Sequence, residues 1–115
     1  MQIVQWNQVE TEQMSPLLSR QVLHTEGLTI ARIHLAKGCT VPRHQHVNEQ
    51  ITTVERGRLS FRFDSGETIV EAGQSVAISP NEAHEVHALE DTVAVDVFAP
   101  TRDDWKRGDD AYLRR

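Results

Sequence analysis

The sequence predicts an all-β fold, an antiparallel sandwich or barrel. Three observations predict it. Apolar and polar residues alternate with a period of two over most of the chain. Gly, Pro and Asn cut these runs at even intervals. No segment of helical period separates the runs, which excludes a parallel α/β sheet. Taken in order, Leu28 to Leu35 sets Leu28, Ile30, Arg32 and His34 against Thr29, Ala31, Ile33 and Leu35. Gln50 to Arg56 leads through Gly57 into Arg58 to Asp64, which puts Leu59, Phe61 and Phe63 on one face. Ser65-Gly66 marks a turn, Glu67 to Glu71 a strand, Ala72-Gly73 a turn, and Ser75 to Ser79 a strand ended by Pro80-Asn81. His84 to Leu89 and Thr92 to Phe98 are joined by Glu90-Asp91. Only the ends offer helix: a turn or two over Glu10 to Leu18, and a short piece between Asp103 and Leu113, interrupted by Gly108. There is no repeat, low-complexity tract or linker, so residues 1–115 are expected to form one domain.

Charge narrows the partners. The chain carries 12 Lys and Arg against 17 Asp and Glu, a formal charge of −5. A nucleic-acid partner is not expected, because phosphate binding needs a basic face. A small anion remains compatible, since a local positive site can sit in an acidic protein. Cys39 stands alone, so no intrachain disulfide forms. The start, Met1-Gln2-Ile3-Val4-Gln5-Trp6, lacks a basic region and a long apolar stretch, so neither a signal peptide nor a membrane span is expected. The expected location is cytoplasmic.

The densest chemistry lies between Gly38 and Gly57. His44 and His46 are two apart in a strand-like run, so both imidazoles face one way and can hold one metal ion. Gln50 keeps that parity if the strand resumes after a short turn. His84 is the best-placed further ligand. His87 is three residues on, and so faces away from it. His24 and His34 have no motif around them and are expected to be structural. Cys39 is expected to fill space rather than bind metal.

Gly38, five residues, His44-x-His46, three residues, Gln50, six residues and Gly57 resemble the first motif of the cupin family. Gly73, five residues, Ser79, then Asn81, two residues and His84 resemble the second. Three positions depart from the usual pattern: Gln50 for Glu, Ser79 for Pro and Asn81 for Gly. The resemblance implies a small cupin double-stranded β-helix, a jelly-roll-like barrel. His44, His46, Gln50 and His84 would then converge inside it on one divalent transition metal, nickel, zinc, iron or manganese. With Gln50 neutral, the ion would keep its full charge, which favours Lewis-acid chemistry on an anionic ligand over oxygenase chemistry.

The C-terminal strand supplies a second group. Ala94, Asp96 and Phe98 share one face, and an acid among apolar neighbours is costly unless it is paired or functional. Arg102 follows a short turn and is placed to clamp a carboxylate over the barrel mouth. The stretch Asp96 to Trp105, together with Glu49-Gln50, resembles the KdgF-type pectin-degradation cupins. That resemblance implies action on 4,5-unsaturated monouronates, giving linear keto-deoxyuronates. Asp96 would be the acid/base, Phe98 would pack on the sugar ring and Arg102 would bind the carboxylate. The alternatives are a non-catalytic sugar- or anion-sensing cupin, or a lyase or isomerase of another small acid. If Asp96 faces inward, Val93, Val95 and Val97 face outward. Exposed valines there, with a strand-like Met1 to Trp6, predict a homodimer.

Overall fold

The structure is a computed structural model and describes residues 1–114. Ten strands form two antiparallel sheets: β1 (Glu12–Ser15), β2 (Leu18–His24), β3 (Thr29–Leu35), β4 (Thr40–His44), β5 (Glu49–Arg56), β6 (Arg58–Phe63), β7 (Gly66–Glu71), β8 (Ser75–Ile78), β9 (His84–Ala88) and β10 (Thr92–Ala99). The larger sheet runs β1-β2-β3-β10-β5-β8 and the smaller β4-β9-β6-β7. One short helix, α1 (Asp103–Lys106), and two 3₁₀ turns, Trp6–Gln8 and Ala111–Leu113, flank them. This is the all-β antiparallel fold that the alternation predicts, in the jelly-roll-like form that the cupin resemblance implies. No helix among the described residues is long and apolar enough to cross a membrane.

Period-two patterning decides which side chains enter the space between the sheets. On β3 the inward set is Thr29, Ala31 and Leu35, all buried, while Ile30 and Arg32 are half-buried and His34 is exposed. On β10 Ala94, Asp96 and Phe98 are buried. Leu59 and Phe61 of β6, Val70 of β7, Ile78 of β8 and Val86 of β9 complete the core with Met14, Leu18 and Val54. Gly57 joins β5 to β6 at φ +96°, and a Cβ there would lie 2.4 Å from the Asp91 carbonyl oxygen. Only glycine fits both the left-handed backbone and that approach.

Two expectations fail at the N-terminus. Glu10 to Leu18 is not helical: β1 and β2 form a hairpin, with Ser15 paired to Leu18 across Pro16-Leu17. Proline presets a turn and cannot continue a helix, and the turn brings Met14 and Leu18 into the core. Met1 to Trp6 forms no strand either. The Gln21 side-chain amide instead binds the carbonyls of Trp6 (2.6 Å) and Val9 (2.9 Å), so the turn Trp6–Gln8 lies against β2.

Candidate metal centre

Both sheets contribute to one site. In the small sheet, β4 and β9 pair with His44 opposite His84. In the large sheet, β5 and β10 pair Gln50 with Phe98 and Thr52 with Asp96. Strand β4 ends at His44, so His46 lies in the loop that follows. Ligand nitrogens of His44, His46 and His84 nevertheless all lie within 4.8 Å of one another.

Backbone carbonyls fix the three rings. Nδ1–H donates to the Pro42 carbonyl in His44 (2.8 Å), to Asn48 in His46 (3.2 Å) and to Glu82 in His84 (2.8 Å). A carbonyl can only accept, so Nδ1 carries the proton and Nε2 presents a lone pair. Gln50 is oriented the same way: its amide Nε2 donates to Thr52 Oγ1 (2.8 Å), leaving Oε1 3.0 Å from His46 Nε2. With His46 in the same Nδ1–H tautomer as its two neighbours, two acceptors face each other at hydrogen-bond distance. A shared cation resolves that clash, and three imidazoles with one amide oxygen suit a divalent transition ion.

Electrostatics favours the same state. Burial lowers His44 to about 4, reinforced by the nearby His84, His46 and Arg102 and only partly opposed by the Pro42 carbonyl. Burial, then Arg102 and His84, likewise lowers His46 to about 4. His84 is also lowered by burial. All three are therefore neutral ligands at neutral pH. Asp96 moves the other way. Burial raises it to about 6, against the Thr52 hydrogen bond and the Arg102 charge.

A stability profile follows for the metal-free protein. Between about 4 and 6.5, unfolded histidines bind protons that His44 and His46 refuse, so stability rises with pH there. Asp96 holds a proton in the fold from its ordinary 3.8 up to about 6, which opposes that slope. The histidines outnumber it. The melting temperature of metal-free protein should climb from pH 4.5 to 7, and a flat or falling profile in calorimetry would refute the balance.

Behind Gln50 a buried line of hydrogen bonds continues. Thr52 Oγ1 donates to Asp96 Oδ1 at 2.5 Å. Asp96 thus faces the barrel interior with Ala94 and Phe98, the residues that share its parity. Arg102 is 1% exposed, with its guanidinium over the rings of Phe98 (4.6 Å) and Trp105 (4.3 Å). Its fork is engaged: Nε and one terminal nitrogen reach Asp104 at 3.0 and 2.9 Å, and that same nitrogen donates to Tyr112 Oη at 2.7 Å. Phe98 is buried between His46 (5.7 Å) and Trp105 (5.2 Å).

Other sequence expectations fall elsewhere. His87 faces away from His84, bonded to Glu85 and Thr40. His24 bonds Thr29, Arg32 pairs with Glu55, and Cys39 is buried in the core. Sequence reading missed four participants. Thr52 was within reach, since it shares the parity of Gln50. Asn48 pins the Pro100 and Thr101 carbonyls (2.6 and 3.1 Å). Tyr112 packs on His44 with ring centroids 4.6 Å apart. Arg20 pairs with buried Asp110 at 2.6 Å. The last two depend on tail contacts that no local pattern encodes.

Comparison with known proteins agrees with this fold. The cupin domain family matches residues 31–99. The pectin degradation protein KdgF of Dickeya dadantii (strain 3937) is 28% identical over 97 residues, 82% of this chain and 88% of that protein. The solved structure of KdgF from Halomonas sp. matches with a TM-score of 0.80 at 24% identity, over 86% of this chain and 94% of that one. An RmlC-like cupin from Shewanella frigidimarina NCIMB 400 matches with a TM-score of 0.84 at 25% identity, over 91% and 96%.

Proposed function

Since the chain belongs to the cupin family, we propose that it is a metal-dependent enzyme of uronate catabolism that converts 4,5-unsaturated monouronates to linear keto-deoxyuronates. The observation that carries the reading is the unbroken line from the donor cluster to a buried acid: His46, Gln50, Thr52, Asp96. The likeness to KdgF of Dickeya dadantii supports the substrate class. His44, His46, Gln50 and His84 would hold the ion. When bound, a divalent ion supplies Lewis acidity toward a substrate oxygen.

The remaining chemistry falls to the chain. Opening the cyclic substrate needs the proton of its anomeric hydroxyl removed as the ring C–O bond breaks. The enol left behind then gains a proton on carbon and becomes the ketone. Asp96 takes the first proton and returns it, so the step is an isomerisation with no co-reactant. Burial raises its proton affinity, which suits a group that must both take and return a proton. Arg102 would bind the carboxylate in place of its bond to Tyr112, and Phe98, buried under the Arg102 guanidinium, would reach the sugar ring only with that rearrangement. The test is loss of the ultraviolet absorbance of unsaturated monouronates, with metal content measured alongside. Metal-loaded protein that binds these acids without consuming them would favour the sensing alternative.

We also propose a homodimer. The expected row of exposed valines is not there: Val93 is buried, and Val95 and Val97 are half-buried on the outer face of β10, so the support is Val97 beside Ile51, which is 47% exposed. The N-terminal turn is tied to Gln21, on the β2 side of that face, and so offers those residues no strand partner. Light scattering should give about twice the 13.0 kDa of one chain, and Val95→Asp should reduce it. A mass of one chain for the unaltered protein would refute the dimer.

A further inference from the structure

The cavity between the sheets, lined by His44, Gln50, Asp96, Arg102 and Tyr112, has a volume of about 60 Å³. Sites that enclose a small organic ligand start at about 300 Å³. A six-carbon acid therefore does not enter unless a wall moves. The wall suited to move is the segment 109–114, which carries the turn Ala111–Leu113. Among the described residues, no backbone hydrogen bond joins it to a strand. Its amides bond only to Asp104, Asp110 and Ala111, within the C-terminal region itself.

Side chains tether it instead. Tyr112 Oη accepts from Arg102 (2.7 Å), and Asp110 pairs with Arg20 (2.6 Å). The closed position also carries a cost. Arg20 is 4% exposed, and its second terminal nitrogen is buried with no hydrogen-bond partner.

We propose that Tyr112 is a specificity-determining gate, whose phenol oxygen holds on Arg102 the place of a ligand carboxylate. A neutral phenol oxygen makes a weaker bond to guanidinium than a carboxylate does. An acid displaces it and keeps the segment open. A neutral sugar has no such advantage and stays out. The gate rests on the reading of a carboxylated substrate, and it adds the means by which the acid is told from the neutral sugar.

Amide hydrogen exchange on the full, metal-loaded chain tests this, with D-galacturonate as probe and D-galactose as its neutral counterpart. Galacturonate should speed exchange over residues 109–114 by about tenfold or more, and galactose should not. Tyr112→Phe should speed the same amides without any ligand, leave β3 and β10 unchanged, and bind galacturonate about tenfold more tightly. Asp110→Asn, which weakens a second tether, should loosen the same amides. Unchanged exchange in Tyr112→Phe would overturn the gate. So would galacturonate that binds while the segment stays protected, or that binds neither protein. If the exchange changes appear but unsaturated monouronates are not consumed, the gate stands and the enzymatic reading falls.

Discussion

His46→Ala is expected to leave purification nearly free of metal, and the unaltered protein to leave it with close to one ion per chain. Three features make the effect large. His46 is the imidazole whose Nε2 meets Gln50 Oε1, so its loss removes one ligand and the contact that orients another. It sits in the loop after β4, outside any ladder, so the sheets do not depend on it. Loss of an outer-shell partner alone typically weakens metal binding by about 10- to 100-fold, and loss of a ligand should exceed that. Elemental analysis is the measurement. Full occupancy in the variant would remove His46 from the ligand set.

Asp96→Asn should keep its metal and lose turnover by about 10²- to 10⁴-fold. The change is nearly isosteric, and Thr52 can still donate to the amide oxygen, so the line to Gln50 survives. What disappears is the proton carrier. The rate profile of the unaltered protein should carry an acidic limb from Asp96, whose proton affinity burial raises, and that limb should vanish in the variant. Metal content separates this outcome from collapse of the site. An Asn variant with undiminished rates would end the acid/base role of Asp96.

Much of this was legible before the fold was known, for a local reason. Period-two alternation is written into each strand, so β3 and β5 to β10 could be read singly; parity put Asp96 and Phe98 on one face of β10, and the fold decides that this face is the inner one. His46 shows the limit of parity: β4 stops at His44, and the loop delivers the third imidazole by its Nδ1 bond to Asn48. The Pro16 hairpin escaped because β1 is only four residues long and its partner begins directly after the turn. The engagement of Arg102 by Asp104 and Tyr112 escaped because it depends on a tail that folds back across the barrel. Contacts of that kind leave no periodic trace.

The split of the donor set between the two sheets has a mechanical consequence. His44 and His84 stand on the small sheet's side of the barrel and Gln50 on the large sheet. An ion held by all of them is a rivet through both layers, bracing the barrel where its interior is polar. Folding and loading then become one equilibrium. At a hundred times its dissociation constant the ion adds about 2.7 kcal/mol to the stability of the folded chain, as much as burying a large core side chain. A chain folding where the metal is scarce would have to hold its sheets together by packing alone, with four lone pairs pressing against one another at the seam.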